Sequence, residues 1–175
     1  GDDRAAMRDY YETRIFPVLT PLAVDPGHPF PYISNLALSI AAHVADPDTA
    51  ERRFVRLKVP GLFPRLLPLG DGRYVPAEEV IAAHLHTLFV GMIVEEWTVF
   101  RVTRNANAEK SEESADDLLA LIESELQERR FAPIVRLEVL PGMAPLHRGR
   151  LAAELALDEG GDVYEIGGML GLRDL

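Results

Sequence analysis

The run from Arg14 to Asn35, RIFPVLTPLAVDPGHPFPYISN, limits the fold more than any other part of this chain. It holds five prolines, at 17, 21, 26, 29 and 31, with nine large apolar side chains between them. Proline fixes φ and removes a backbone donor, so this run is neither a long helix nor a central strand. It is also too apolar for a solvated linker. What remains is an ordered, apolar, irregular path. Such a path serves packing or a site.

The segments around it carry clear periods. Asp2 to Thr13 reads as a short helix, charged on most sides. Leu36 to Ala45 alternates, with Leu36, Leu38, Ile40, Ala42 and Val44 on one side, which predicts a strand with one buried face. Asp46-Pro47-Asp48 is a turn, and Arg53 to Val59 is a second strand. Leu66–Leu69 and Arg73–Val75 flank Gly70-Asp71-Gly72 as a hairpin. Pro76 opens a helix whose stripe is Val80, Ile81, His84, Leu85 and Leu88, ending at Gly91. Trp97 to Asn105 is a strand, 111–130 a helix, Ile134 to Leu140 a strand, Leu146 to Leu157 a helix and Val163 to Ile166 a last strand. Hairpins mixed with crossover helices predict an α+β fold with one mixed, largely antiparallel β-sheet and packed helices.

With 47% hydrophobic residues the chain can build one real core, and no apolar run is long enough to span a membrane. No signal peptide opens it. Zero cysteines exclude disulfides, thiolate zinc sites and cysteine nucleophiles, and fit a reducing cytoplasm. A net charge of −10 argues against nonspecific nucleic-acid or anionic-membrane binding. The charge is uneven: residues 109–128 carry eight acids and one lysine, residues 51–75 six basic side chains and two acids. Sixteen of the 18 basic residues are arginine. That suits carboxylate or phosphate oxygens, and fits a residue-usage bias equally well. Gly1 and Leu175 look like the ends of an excised piece.

Arg101 and Thr103 lie on one face of their strand, and Arg104 lies on the other with Phe100 and Val102. A guanidinium planted in a sheet needs a partner. A phosphate chain and an acid across the sheet both answer that need, the acid more simply. Arg136 and Glu138, two apart on one strand face, suggest an ion pair that Arg101 or Arg104 could share. None of the histidines, at 28, 43, 84, 86 and 147, has metal-ligand spacing. His84 reads as a packed core residue, and His147 beside Arg148 and Arg150 as part of a solvated basic turn. His28, in the proline path, is better placed for function, though turn stabilisation is the simpler role. No phosphate-binding loop or nucleophile elbow is present, and the acidic run at 109–128 reads as a solvated helix face.

Four ordered strings carry a family resemblance: FPVLTPLAVDPGHPFPYISN at 16–35, RFVRLKVP at 53–60, FRVTRNAN at 100–107 and RRFAPIVRLEV at 129–139, with DDLL at 116–119. They resemble the second, or head (middle), domain of bacterial polyphosphate kinase of the histidine-phosphorylated type, from about Tyr10 to Leu175. Two departures are Val90, where the family has proline in LFPG, and Asn107, where it has an acid. The resemblance implies reversible transfer of the terminal phosphate of ATP to inorganic polyphosphate through a phosphohistidine. It implies ATP and Mg2+ in the parent enzyme, with none bound to this segment. The nucleophile and most ATP contacts belong to later domains, so no catalytic residue and no metal ligand are assigned here.

The same resemblance implies a homo-oligomer to which this domain contributes dimer contacts, a polyphosphate tunnel shared with other domains of the chain, and a cytoplasmic, at most membrane-peripheral, parent. No nucleic-acid partner and no transmembrane segment are implied. It divides the chain into a lead-in at 1–14 from a preceding helical domain and a single α+β domain at 15–175, folded like a phosphohistidine-phosphatase sandwich. The candidate phosphate ligands are Arg56, Arg101, Arg104 and Arg136. His28 and Asn35 mark a candidate loop site. The isolated piece is expected to be inactive. The alternatives are a polymer-binding or assembly module and, more remotely, an independent phosphohistidine phosphatase using His28 or His43.

Overall fold

The computed structural model describes residues 2–24, 30–105 and 132–172. The helix expected at 111–130, the DDLL string, Asn107 and His28 lie outside the described residues.

Helix α1 (Asp2–Tyr10) runs into one π-turn at Tyr11–Ile15 and a 3-10 turn at Phe16–Val18. Pro17 cannot continue an α-helix, and the chain turns there. The charged face of α1 stays in solvent, but Tyr11 and Ile15, four apart, are fully buried. Strand β1 (Pro21–Val24) follows, which the sequence reading did not anticipate. It is an edge strand, the sheet position that tolerates a proline.

Strands β2 (Leu38–Ala45), β3 (Arg52–Lys58), β6 (Ile93–Arg104), β7 (Ile134–Val139) and β8 (Val163–Glu165) complete a six-stranded sheet in the order β1-β3-β2-β6-β7-β8. All neighbours are antiparallel except β7 and β8. Helix α3 (Pro145–Glu154) makes the crossover that a parallel pair requires. Strands β4 (Leu66–Gly70) and β5 (Arg73–Pro76) form the expected hairpin, but as a separate two-stranded sheet. Its tip runs through Gly70, Asp71 and Gly72, all at positive φ, which glycine adopts without strain. Helix α2 (Ala77–Ala83) leaves β5 directly, with Pro76 as its N-cap, and a 3-10 turn at Leu85–Thr87 follows. The class is α+β with a mixed main sheet, as the element order predicts.

The expectation of one buried face on β2 is corrected. Seven of its eight residues are buried, because both faces of the sheet are covered. Ile40, Ala42, Leu57 and Val99 pack under α2, the hairpin and the π-turn. Ala41, Phe54, Phe100, Leu137 and Val139 pack under α3 through Leu151 and Leu155. Sequence alternation between alanine and larger apolar residues looks half-polar but is a doubly buried central strand. Leu36, expected in the strand, precedes it at φ 61°, largely exposed. Among the described residues no helix is long and apolar enough to cross a membrane.

Candidate functional site

Residues opposite one another on paired strands share a face. Ala41 pairs with Arg56 and Ser39 with Phe100, so Arg56 lies on the α3 face. Leu38 pairs with Arg101, and Thr103 with Arg136, so those two arginines lie on the α2 face. Arg104 follows a register shift after Thr103 and sits opposite Ile134, which packs into the α3-side core. The four candidate arginines therefore form two pairs on opposite sides of the sheet.

The α2-face pair shares one carboxylate. Arg101 Nη1 is 3.4 Å from Glu138 Oε2, and Arg136 Nε donates to Glu138 Oε1 at 2.9 Å. The Arg136 guanidinium also stacks over the Tyr164 ring at 3.8 Å. This is the arrangement in which Arg101 shares the acid of an Arg136–Glu138 pair; Arg104 does not join it.

The α3-face pair is held differently. Arg56 is buried, and its Nε and Nη2 both donate to Ser39 Oγ at 3.3 and 3.2 Å, while Nη1 donates to the carbonyl of Tyr32 at 3.4 Å. Loss of hydration lowers its pKa from the usual guanidinium value. Arg104 Nε donates to the Ile33 carbonyl at 2.9 Å and Nη1 to the Ala132 carbonyl at 2.6 Å, with the guanidinium 4.7 Å above the Tyr32 ring. Among the described residues neither cation has a carboxylate partner.

The proline path explains much of this. Past β1, residues 30–35 of the path join no ladder, so their carbonyls need donors from elsewhere. The carbonyls of Tyr32, Ile33 and Leu36 accept from Arg56, Arg104 and Arg101 respectively. Asn35 Oδ1 accepts the backbone N–H of Arg104 at 2.8 Å, and Leu36 N–H reaches the Val102 carbonyl at 2.9 Å. Asn35 is thus the clamp that fixes the end of the path to the end of β6.

The histidines separate by position. His84 is a core residue, as expected: Nδ1 lies 2.8 Å from the Val80 carbonyl, and the ring stacks on Tyr11 at 4.5 Å. Burial raises the Tyr11 hydroxyl pKa, partly offset by its bond to Thr87. His147 corrects the solvated-turn reading. It is in the first turn of α3, stacked on His43 at 3.6 Å with Nδ1 2.5 Å from Glu96 Oε2. The residue signal for this contact was weak, because His43, Glu96 and His147 are 53 and 51 residues apart in sequence. Separately, a cleft of about 450 Å³ between α1, the hairpin and α2 is lined by Asp3, Arg4, Met7, Leu69, Val80 and His84. It touches none of the four arginines.

The family described as "Polyphosphate kinase middle domain" matches residues 2–175. The chain belongs to the polyphosphate kinase middle-domain family. It is 47% identical over 183 residues to a polyphosphate kinase of Thermosynechococcus vestitus, covering 99% of this chain and 25% of that protein. It is 49% identical over 173 residues to that of Streptomyces coelicolor, covering 99% and 23%. The chain therefore spans about a quarter of the length of these relatives. The solved polyphosphate kinase of Porphyromonas gingivalis has the same fold over 99% of this chain and 24% of its own, with TM-score 0.74 and 21% identity.

The Mg2+ that such kinases imply takes oxygen ligands in near-octahedral geometry. Among the described residues the group able to hold a metal is His43, Glu96 and His147, two nitrogens and one carboxylate. That donor set does not fit Mg2+.

Proposed function

We propose that this chain is a non-catalytic middle segment of an enzyme that moves the terminal phosphate of ATP reversibly onto inorganic polyphosphate. The observation that carries the reading is the family match across residues 2–175, with relatives named polyphosphate kinase. In this reading ATP, Mg2+ and the phosphorylated histidine belong to other domains of a cytoplasmic, homo-oligomeric parent. Residues 1–14 lead in from a preceding helical domain, and 15–175 form the domain that supports dimer contacts and the polymer tunnel.

The chain's own residues set the geometry. Arg56, Arg101 and Arg104 hold the proline path by its carbonyls, and Asn35 fixes it to β6. Of the four arginines, Arg104, backed by Arg56, is the phosphate ligand, because its partners among the described residues are neutral carbonyls. Arg101 and Arg136 are already matched by Glu138.

The test is polyphosphate synthesis from ATP and Mg2+. The chain alone is expected to form none, and the same chain replacing the matching quarter of the Thermosynechococcus vestitus enzyme is expected to support synthesis. Sustained synthesis by the chain alone would place the chemistry within these residues and overturn the proposal. A folded chimera without activity would overturn the assignment of the segment's role.

A further inference from the structure

We infer that His43, Glu96 and His147 form a binding site for a divalent first-row transition ion, best matched by Zn2+, that ties α3 to the centre of the sheet. His43 on β2 is directly opposite Glu96 on β6, so both side chains point to the α3 face. The register shifts just after His43, and a bulge of this kind re-aims side chains. His147 comes down on the pair from the first turn of α3.

The candidate ligand atoms of all three residues lie within 4.8 Å of one another. Tetrahedral Zn2+ at its usual bond lengths holds ligand atoms about 3.4 Å apart, so closure needs shifts of about 1 Å. Two imidazoles and one carboxylate are a known zinc donor set with a fourth position left open.

Three further observations support a ligand site here. Nδ1 of His147 is buried and, among the described residues, has no hydrogen-bond partner; it is near Glu96 Oε2 but not lined up to bond with it. A void of about 10 Å³, close to the room one water or ion needs, is lined by these three residues with Phe54, Trp97 and Met143. Glu96 has a supporting contact, since its Oε1 accepts the Ala144 N–H at the start of α3 at 3.4 Å while Oε2 faces His147. Metal-binding histidines bind as neutral rings, which sets binding at neutral pH and above. The nearby cation is Arg150, whose guanidinium is over the Phe54 ring at 5.6 Å; Glu95 and Glu96 counter its charge.

Without an ion, the stacked imidazoles and the short carboxylate contact enclose an orphaned nitrogen. With one, the same groups become a clamp between β2, β6 and α3. This site is independent of the phosphotransfer reading, because its test uses no polyphosphate and no ATP.

The purified chain, stripped with a chelator, is titrated with Zn2+ at pH 7.5 by calorimetry and followed by NMR of the histidine rings. One ion should bind per chain with a dissociation constant on the order of 1 μM or tighter. His147→Gln and Glu96→Gln should each weaken binding at least about 10-fold, and millimolar Mg2+ should not compete. In the unmodified chain Zn2+ should shift the ring signals of both His43 and His147 and leave those of His86 in place. The inference is overturned by no binding at about 100 μM Zn2+, by folded variants that bind as tightly as the parent chain, or by ring shifts that miss either His43 or His147. The ring shifts decide the matter even if a variant fails to fold.

Discussion

The two faces of the main sheet solve the same problem in opposite ways. On the α2 face, buried or half-buried cations meet carboxylates: Arg65 binds Glu78 at 2.7 Å, and Arg101 and Arg136 share Glu138. On the α3 face, Arg56 and Arg104 rest on a hydroxyl and carbonyls, and the half-buried acid Glu96 is set among histidines instead. The α2 side is electrically closed, and its charges serve stability. Among the described residues, the α3 side has cations with no carboxylate partner near the proline path and a metal-type donor set near the start of α3. The proposed placement of function rests on that difference: a closed pair has little left to give a ligand, whereas an open one does.

The largest test of this contrast is on the closed side. Glu78 and Arg65 have side chains only 6% and 15% exposed, so Glu78→Ala strands a buried guanidinium. The expected loss is about 3–5 kcal/mol in urea unfolding. A loss under about 1 kcal/mol would show that the pair is not truly desolvated, and the contrast between faces would weaken.

The next effect is on the α3 side and depends on pH. Burial pushes the His43 imidazole down to about 4 from its ordinary 6.5, with His147 acting in the same direction and Glu96 against it. Between those values the unfolded chain takes up a proton that the folded chain refuses. Stability is therefore full above about 6.5 and falls as pH drops towards 4, by up to about 3 kcal/mol. With chelator present, urea midpoints measured from pH 7.5 to 4 should show that fall, and His43→Phe should flatten it. An equally steep fall in His43→Phe would assign the pH dependence to other groups.

A smaller change separates the two kinds of arginine. Arg56→Met removes a buried cation that has no carboxylate to orphan among the described residues. Only the Ser39 hydroxyl and the Tyr32 carbonyl lose donors, so the net cost is about 1–1.5 kcal/mol or less. A loss as large as that of Glu78→Ala would place an acid on Arg56 after all, and the α3 face would be as closed as the other.

Much of the fold is legible in the residues. The alternation through β2, β3 and β6, the glycines of the hairpin tip and Pro76 at the start of α2 each act locally, and local rules read them correctly. Strand β1 escaped because four residues led by a proline carry almost no periodicity; only pairing with β3 makes them a strand. The second buried face of β2 escaped because Ala41 and His43 look like a solvent face until Phe54 and α3 cover them. That the sheet arginines need partners is legible in the residues, and so is Glu138 as the acid for Arg136 and Arg101. The carbonyl partners of Arg56 and Arg104 were not foreseen, although five prolines in 22 residues are themselves a sign that backbone acceptors nearby will lack donors. The place of His147 is not legible in the residues, because its partners are on strands far away in sequence and no spacing rule reaches that far.

The most direct test of the contrast is polyphosphate binding to the folded chain across a salt series, comparing Arg104→Ala with Arg136→Ala. Arg104→Ala should weaken binding about 10-fold and flatten the salt dependence by about one counterion, while Arg136→Ala should leave both within about 2-fold of the parent chain. Equal losses in the two variants, or no loss from Arg104→Ala, would contradict the assignment of open charge to the α3 face.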